Sequence, residues 1–432
     1  MQMQMTNSIA VPKHLSEAIV SPRAHAERDE LLSGLRWLRA NNPVGLVEAD
    51  GYDPFWLLTR HQDVYEVSRQ NSRFHNADRP AIVVNRDGEA MMRAMTGKPY
   101  LVRTLVQMDA PDHLKYRRVI QGWFTAPRLK ALEADIRVIA KASVDHMASL
   151  GGASDFVRDV GLTYPLRVLM NLIGIPPEDE ALMLKLTQEI FGNQDEDLGR
   201  NAGEAKDGAE EMTQLQAVLA DVEAYFRRLT DSRRHSAGED LASAIANATI
   251  DGEPIPHFEA FCLYLIVITA GHDTTSSSTS GALWGLCENP GELRKLKDRP
   301  DLIEPLVDEA IRWTNPVSHF MRTATEDTEI GGRSIRKGDW LMLSYLSANY
   351  DEAVFDEPER FRVDREASRH IAFGTGAHAC LGQHFARLEM RILFEELIPR
   401  LEDIELAGEP KRSASLFVGG PKSLPVRFAL RA

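Results

Sequence analysis

The stretch Phe373-Gly-Thr-Gly-Ala-His-Ala-Cys380-Leu-Gly382, hereafter the cysteine loop, is the most informative segment of this 432-residue chain. It places one cysteine among three glycines, and an amphipathic helical pattern begins directly after it. Glycine allows tight backbone turns and a close approach to a flat ligand. A cysteine just before a helix N-terminus faces backbone N–H groups and the positive end of the helix dipole, and both favour the thiolate. The segment therefore predicts a functional cysteine at Cys380.

Two other interpretations of the cysteine loop stay open from these residues alone. Cys380 can be a buried structural cysteine in a glycine-rich turn, since free cysteine is among the most buried residue types. It can also be a nucleophile with a histidine base, because His378 and His384 are close to it in the sequence. No oxyanion-hole or triad pattern accompanies them, so other segments of the chain must decide.

Composition excludes several classes of protein. The net charge of −14 disfavours non-specific binding to nucleic acid or to an anionic membrane. The three cysteines, Cys262, Cys287 and Cys380, are too few and odd in number for a disulfide framework and fit a reducing compartment. The N-terminus lacks a secretory signal, and the longest apolar run, residues 260–268, is too short to span a bilayer. We expect a cytoplasmic protein that binds neither nucleic acid nor membrane.

Hydrophobic periodicity predicts a mainly α protein with a small β portion, built as one domain over residues 13–432 after a flexible tail over 1–12. A polar, charged segment over 195–214 predicts a surface loop. Helical patterns cover 127–150, 155–173, 256–288, 301–313 and 383–404, and hairpin patterns cover 44–60 and 329–345.

The segment Ala270-Gly-His-Asp-Thr-Thr275 lies in the middle of the long helical pattern over 256–288. Glycine, aspartate and threonine carry a local cost in a helix interior, and such violations often mark functional sites. Asp273 and Thr274 place an acid beside an alcohol in an otherwise apolar helix, a pair able to hand protons to bound dioxygen. The alternative is a kinked helix whose hydroxyls bond to its own backbone.

Charged residues elsewhere form weaker signals. Glu309 and Arg312 are spaced i, i+3 and share a helix face, although by themselves they indicate a solvated pair. His113 and Arg117 are spaced i, i+4 and also share a face. Each of these, taken alone, indicates an ordinary surface residue.

Together these segments resemble the cytochrome P450 superfamily. Cys380 matches the haem-ligand cysteine of the family pattern Phe-x-x-Gly-x-(Arg/His)-x-Cys-x-Gly, and 270–275 matches the family's (Ala/Gly)-Gly-x-(Asp/Glu)-Thr motif. Glu309 and Arg312 match the family's Glu-x-x-Arg pair, for which Arg360 fits the downstream arginine. The remaining positions of the cysteine pattern are filled by Phe373, Gly376, His378 and Gly382.

The resemblance implies a single-domain, α-rich P450 fold with haem b between the central helix and the cysteine loop. Cys380 is then the axial ligand of the iron, Thr274 hydrogen-bonds the bound dioxygen, and Asp273 relays protons to it. Glu309, Arg312 and Arg360 are implied to be structural. The haem propionates are implied to bind four cationic residues, namely His113, Arg117, Arg322 and His370.

A closer resemblance is to the bacterial α-terpineol hydroxylase family, over residues 37–428. It implies a small hydrophobic substrate, such as a monoterpene, a terpineol or an alkyl-substituted aromatic, in a largely apolar pocket. His319 and His272 are candidates to contact a substrate hydroxyl, although both can be simple packed histidines. The matching segments are 51–54, 182–188, 269–278, 306–310, 320–324 and 417–422, and the expected substrate-binding residues are Ala270, Val317, Ser318, His319 and Phe320.

The resemblance also implies partners. A ferredoxin with a flavoprotein reductase would deliver two electrons, docking where Arg117, Arg118 and Arg387 provide positive charge, and we expect a monomer. Three alternatives stay open: a peroxide-driven haem-thiolate enzyme, a non-catalytic haem sensor, and a zinc-dependent or cysteine hydrolase using His378 and Cys380. The hydrolase leaves Glu309 and Asp273 without a role.

Overall fold

The computed structural model describes residues 9–198, 208–236 and 238–431, in which helices predominate over short strands, as predicted. The α-helices are α1 Lys13–Ile19, α2 Pro22–Glu27, α3 Asp29–Asn41, α4 His61–Ser68, α5 Arg86–Thr96, α6 Asp112–Gln121, α7 Ala126–Ser149, α8 Thr163–Ile173, α9 Glu180–Phe191, α10 Gly208–His235, α11 Leu241–Ala246, α12 His257–Glu288, α13 Pro290–Asp298, α14 Ile303–Thr314, α15 Tyr345–Ala348 and α16 Gln383–Leu397. The strands are β1 Val44–Val47, β2 Phe55–Leu58, β3 Phe74–His75, β4 Ala153–Asp155, β5 Thr249–Ile250, β6 Glu253–Pro254, β7 His319–Ala324, β8 Thr328–Ile330, β9 Arg333–Ile335, β10 Trp340–Ser344, β11 Leu401–Leu406, β12 Lys411–Arg412, β13 Pro421–Ser423 and β14 Pro425–Leu430.

Helix α12 forms the centre of the molecule. Its 32 residues span about 48 Å at about 1.5 Å per residue. It is apolar around most of its first half, as expected of a helix buried on all sides, and it contacts α8, α9, α10, α14 and α16. At its C-terminal end, a Cβ on Gly285 would lie 2.7 Å from the Phe361 ring. Only glycine therefore permits this approach between α12 and the segment that leads to the cysteine loop.

Three hydroxyl groups of α12, those of Thr269, Thr274 and Ser278, are bonded to the helix itself. Thr269 donates to the Leu265 carbonyl at 2.6 Å, and Ser278 donates to the Thr274 carbonyl at 2.9 Å. These i to i−4 bonds satisfy buried hydroxyls without interrupting the helix. They offset part of the cost of the polar residues, so α12 continues through the 270–275 motif.

A five-stranded sheet of order β1-β2-β10-β7-β3 flanks the helices. Strands β2 and β10 are parallel, and the other neighbouring pairs are antiparallel. Because side chains alternate along a strand, Phe320 and Arg322 of β7 point to the opposite side from His319 and Met321. A second sheet has the order β11-β14-β4.

Some elements differ from the sequence prediction. The helix expected over 383–404 ends at Leu397, because 401–406 pairs with β14 and forms β11 instead. The hairpin expected over 329–345 is split. Strands β8 and β9 form it through Gly331 and Gly332, both with positive φ, whereas β10 joins the five-stranded sheet.

Two predicted flexible segments are also corrected. Residues 1–8 lie outside the described residues, but Val11 is buried and its N–H donates to the Leu46 carbonyl, so the predicted tail is wrong for 9–12. In the predicted surface loop over 195–214, the part 199–207 lies outside the described residues. Asp195 is buried and bonded to Lys422, while α10 already begins at Gly208. Among the helices described, none is both long and apolar enough to cross a bilayer.

Candidate active site

A large cavity lies between α12 and the cysteine loop. It holds about 1480 Å³ of space, its opening included, and it extends from the apolar first half of α12 to the cysteine loop. Its apolar wall is formed by Leu105, Val106, Ile120, Phe124, Leu169, Ile266, Val267, Ala270, Ile311, Val317 and Phe320.

The cysteine loop forms the opposite part of the cavity lining. The Cys380 N–H donates to the Phe373 carbonyl at 2.8 Å, which closes the loop on itself. Gly376 has a φ of +73°, and a Cβ there would lie 2.8 Å from the Ser68 carbonyl oxygen. Only glycine fits this position, because both its backbone conformation and its contact with the end of α4 exclude a side chain. Gly376 does not line the cavity; it fixes the loop from behind.

Cys380 is the one cysteine of the three that lines the cavity. Burial raises the pKa of its thiol, while the N–H groups of Gly382 and Gln383 and the guanidinium of Arg117 act in the opposite direction. Those groups at the start of α16 favour a negative sulfur. Cys262 and Cys287 are buried in the core, and burial raises the pKa of each to about 12, so they remain inert thiols.

Four basic side chains line the same cavity: His113, Arg117, Arg322 and His378. The His113 and His378 rings lie 4.1 Å apart between centroids. Arg117 donates to the Ala379 carbonyl at 2.8 Å, and buried Arg322 donates to the carbonyl of its neighbour Met321.

The electrostatics of this cluster fit a site that binds an anion. Burial, then Arg322, His113 and Arg117, lowers the pKa of His378 to about 2. Among the described residues, the buried Nε2 of His113 has no hydrogen-bond partner. Buried cations and unpaired donors are costly unless an anion compensates them. A dianionic group beside Cys380 would satisfy them, and haem with its two propionates has that chemistry.

The structure corrects one member of the predicted propionate set. His370 does not line the cavity. Its Nε2 lies 3.4 Å from Asp308 Oδ1, and its Nδ1 accepts from the Ala372 N–H at 3.2 Å. Arg387 shares the same carboxylate at 2.7 Å, so His370 belongs to a structural cluster. The basic side chain at the cavity is instead His378 of the cysteine loop.

The acid and the alcohol of the α12 motif lie on different sides of the helix. Thr274 lines the cavity, and its Oγ1 donates to the Ala270 carbonyl at 2.6 Å. Asp273 does not line the cavity; it lines a second, smaller space, hereafter the side chamber. Residues of α9, α12 and β13 enclose this chamber, among them Gln188, Ser276 and Lys422. The sequence motif alone does not reveal this separation.

The predicted substrate-binding residues are divided in the same way. Ala270, Val317 and Phe320 line the cavity, whereas Ser318 and His319 do not. His319 faces the opposite side of β7, where its Nε2 accepts from the Val83 N–H at 3.0 Å. Burial lowers its pKa to about 3, so it is a packed neutral histidine.

Two further side chains named above also lie away from the cavity. Ser318 lies 3.5 Å from the His25 ring nitrogen, in the same region of the structure as His319. His272 is fully buried and bonds to Thr187 and to the Leu162 carbonyl, so it cannot contact a substrate in the cavity in this arrangement.

The predicted charged triad forms with a different third member. Glu309 and Arg312 are fully buried and joined by two hydrogen bonds, of 2.7 and 2.9 Å. The arginine that joins them is Arg365, whose Nε lies 3.0 Å from Glu309 Oε1. Arg360 is exposed and pairs with Glu357 at 3.5 Å, so its assignment was wrong. The sequence offers arginines at 360, 362 and 365, and only the path of the loop decides among them.

Glu389 also lines the cavity, although it is not among the residues predicted from the sequence. It lies on α16 and is fully buried, and burial raises its pKa well above 4.5 even though a hydrogen bond with Thr275 lowers it. Tyr164 donates to its backbone carbonyl at 2.7 Å. A signal was present: Glu389 follows Phe385 by four residues on the apolar face of an amphipathic helix, where an acid is out of place.

Comparison with known proteins agrees with this geometry. The family model for cytochrome P450 matches residues 212–417. Cytochrome P450-terp from Pseudomonas sp is 43% identical over 97% of this chain and 98% of its own length. Linalool 8-monooxygenase from Pseudomonas putida is 34% identical over 90% of this chain and 93% of its own. The crystal structure of CYP108D1 from Novosphingobium aromaticivorans superposes with a TM-score of 0.89, at 44% identity, covering 98% of this chain and all of that one.

Proposed function

The chain belongs to the cytochrome P450 family and is a monooxygenase, and we propose that it hydroxylates a small hydrophobic terpenoid with dioxygen and electrons from a ferredoxin. The observation that carries this proposal is one cavity that combines Cys380, a cluster of cations, Thr274 and an apolar wall. Two relatives are named for terpenes or their hydroxylation, which supports the substrate class.

The cofactor of the family is a haem with a thiolate ligand, and we propose haem b. When bound, it supplies the activation of dioxygen, one atom of which enters a substrate C–H bond while the other leaves as water. Cys380 would bind the iron as the thiolate, held by the bond between its N–H and the Phe373 carbonyl. Arg117, Arg322, His113 and His378 would hold the propionates.

The protein's own part in the reaction is to position the substrate and deliver protons. Thr274 holds a hydroxyl at the cavity wall, and the bond from its Oγ1 to the Ala270 carbonyl fixes the direction of its hydrogen. That oxygen keeps its lone pairs free to accept a hydrogen bond from a water or from the reacting group. We propose that Asp273 supplies the protons that pass through this hydroxyl, from the far side of α12.

The walls of the cavity support a small apolar substrate. Val317 and Phe320 from β7, with Ala270 and Val267 from α12, offer no charge and few hydrogen bonds. Such walls bind through burial of apolar area and tolerate terpenoid skeletons or alkyl-substituted aromatics. Hydroxyl recognition by His319 or His272 is not part of the proposal, since both rings face elsewhere.

We propose that the ferredoxin docks beside the cysteine loop, fed by a flavoprotein reductase. The turn before α7 approaches the start of α16, directly after this loop, since the Phe124 and Phe385 rings lie 6.1 Å apart. Arg128 on α7 is exposed, and its guanidinium carbon lies 4.4 Å from the centroid of the Trp123 ring in that turn. Arg118 on α6 is also exposed. Arg387 is engaged by Asp308 and contributes less than expected. Local positive charge on an acidic protein would steer a small acidic carrier.

We further propose that the enzyme is a cytoplasmic monomer. The few cysteines, all of them free, suit a reducing compartment. Gel filtration of the haem-loaded protein would test the monomer directly, and a dimeric elution volume would refute it.

The deciding experiment is the carbon monoxide difference spectrum of the dithionite-reduced protein, followed by turnover with a terpenoid panel. We expect the red-shifted Soret band that gives the family its name, and hydroxylated product when ferredoxin, reductase and NADH are supplied. Product with peroxide alone, at the same rate and without ferredoxin, would instead identify a peroxide-driven enzyme. A haem spectrum without turnover of any spectrally binding compound would favour a sensor.

A further inference from the structure

The side chamber gives Asp273 an environment separate from the haem cavity. Asp273 is partly buried, its Oδ2 has no hydrogen-bond partner among the described residues, and it lines the chamber rather than the cavity. The chamber has mixed walls: polar side chains of Gln188, Ser276, Ser277, Ser413 and Lys422 lie beside apolar ones such as Leu162 and Val418. A space of this kind suits water, which needs several polar partners to be held in a protein.

His272, directly before Asp273, connects α12 to two neighbouring elements. Its Nε2 lies 2.9 Å from the Leu162 carbonyl at the start of α8, and its Nδ1 lies 2.9 Å from Thr187 Oγ1 on α9. The same Nδ1 is 3.5 Å from Asp273 Oδ2. The ring is fully buried. His272 therefore ties the turn that carries Asp273 to both α8 and α9.

The partners of the ring favour its protonated form. A carbonyl can only accept, so Nε2 must carry a hydrogen to bond Leu162. Thr187 Oγ1 lies 3.1 Å from the Leu184 carbonyl and donates to it. With that donation made, Nδ1 must also carry a hydrogen to bond Thr187 or Asp273. An imidazolium satisfies every group in this chain of bonds, whereas a neutral ring forces Thr187 to abandon Leu184.

The charges around the ring act in the same direction. Burial alone would lower the pKa of His272, but the Asp273 carboxylate and the Leu162 carbonyl together raise it above 6.5. Across the chamber, the Lys422 ammonium is paired with Asp195 at 2.8 Å and with Asp197 at 2.7 Å, so its charge is largely compensated. Gln188 and Thr187, which α9 contributes here, are neutral. Asp273 is thus the charged group that decides the state of His272.

We propose that His272 is a positioning residue for proton delivery, one that holds the Asp273 carboxylate facing the side chamber, where water reaches it. This inference rests on the proposed role of Asp273. A hydronium ion in the chamber gives its proton to the carboxylate and becomes water. The resulting acid passes one proton around α12 to Thr274 or to a water in the cavity and returns to the carboxylate. No electron moves and no bond to carbon changes in this transfer.

The first test measures the ring itself by ¹⁵N NMR of histidine-labelled, haem-loaded enzyme in its diamagnetic ferrous carbon monoxide form. The His272→Asn variant identifies the resonance. We expect both ring nitrogens to be protonated near neutral pH, and the pKa of His272 to fall in Asp273→Asn. A neutral ring in the wild type, or a resonance that Asp273→Asn does not move, would overturn the ion pair. Neither observation depends on the substrate or on the redox partner.

The second test measures product formed per electron consumed, with any compound that binds and shifts the haem spectrum. We expect His272→Asn to lower this coupling roughly tenfold and to leave substrate binding unchanged. General acid–base catalysis contributes roughly 10²–10⁴-fold to a rate, and a positioning residue accounts for a part of that. The pH dependence of this coupling should also change, because the protonatable His272 ring is removed. Thr187→Val is the matched control: it removes the α9 contact, keeps the ion pair, and should leave coupling near the wild-type value.

Two results would contradict the positioning role. The first is a folded His272→Asn enzyme with the same coupling and pH profile as the wild type. The second is an equal loss of coupling in His272→Asn and Thr187→Val, which would indicate a merely structural contact. If the wild type does not hydroxylate terpenoids, the proposed substrate class is refuted instead. The coupling of the variants and the wild type can then still be compared with another substrate.

Discussion

Arg365 Nε lies 3.0 Å from Glu309 Oε1, and this contact ties the segment before the cysteine loop to helix α14. Glu309 also accepts the Arg362 backbone N–H at 3.0 Å, while Arg312 donates to the Asn349 carbonyl at 2.9 Å. Arg365 in turn donates to the carbonyls of Glu357 and Arg360, at 3.0 and 2.9 Å. The buried carboxylate therefore organises the loop that leads to Cys380.

We predict that Arg365→Ala destabilises the enzyme by about 3–5 kcal/mol, because it leaves the Glu309 carboxylate buried with one cation fewer. Urea unfolding followed by circular dichroism, together with the yield of haem-loaded protein, measures the effect. Arg360→Ala is the matched control and should change the free energy of unfolding by less than about 0.5 kcal/mol, as at an ordinary surface position. Equal losses in the two variants would show that the triad has been assigned to the wrong arginine.

Replacement of the cysteine at the cavity should abolish thiolate ligation without unfolding the protein. In Cys380→Ser we expect the red-shifted Soret band of the reduced carbon monoxide complex to disappear, since the serine hydroxyl is a poor substitute for thiolate. Cys287→Ser, in the core, should keep the band. Retention of the band in Cys380→Ser would exclude this residue as the iron ligand.

The correction of the propionate set can be tested by haem affinity. Arg322→Met should weaken haem binding by about 1.5–3 kcal/mol, the usual worth of a hydrogen bond to a charged group. His370→Ala should affect stability through Asp308 but leave the affinity of the folded protein for haem near the wild-type value. Transfer of haem to excess apomyoglobin measures both. A larger loss of affinity in His370→Ala than in Arg322→Met would restore the original assignment.

The Thr274 hydroxyl at the cavity wall should affect the amount of product formed per electron, but not the binding of haem or substrate. We expect Thr274→Ala to bind haem and substrate normally but to divert electrons to peroxide, lowering product per electron by about tenfold or more. Parallel assays of oxygen uptake, peroxide and product measure this. Ser278→Ala, on the same helix face one turn away, is the control. Unchanged coupling in Thr274→Ala would refute the proposed role.

Glu389 gives the stability of the protein a defined pH dependence. Folding raises its pKa well above 4.5, chiefly by burial. Above pH 4.5, Glu389 releases its proton in the unfolded chain but keeps it in the folded chain. The free energy of unfolding therefore falls by up to about 1.4 kcal/mol per pH unit until the pH reaches the folded pKa.

Glu389→Gln cannot ionise and should remove this dependence. We expect it to match the wild type below pH 4.5 and to be more stable at neutral pH. Urea unfolding of haem-loaded protein over a pH series measures both curves. A parallel pair of curves would mean that Glu389 is ionised in the folded state.

Several features of the molecule follow from local sequence. Gly374 and Gly376 of the cysteine loop are required by their positive φ, which is a property of the local backbone. The extent of α12 was predicted to within a residue, because an apolar helix of this length has few alternatives. The hydroxyl bonds within α12 also need only the i−4 carbonyl.

Other features could not be read from the sequence, because they depend on which surfaces meet. Residues 401–406 have polar and apolar positions that suit either structure, and pairing with β14 makes them a strand. His319 and Phe320 are adjacent, yet the packing of β7 sends one ring to the cavity and the other away from it.

The sequence by itself determined the chemistry: a cysteine before a helix, an acid beside an alcohol in an apolar helix, and cations that share helix faces. The tertiary structure decided the partners. It selected Arg365 over Arg360 and His378 over His370, and it placed Asp273 and Thr274 on opposite sides of α12. The physical reason is that residue type and local spacing fix what a side chain can do, whereas long-range packing fixes the group that compensates its charge.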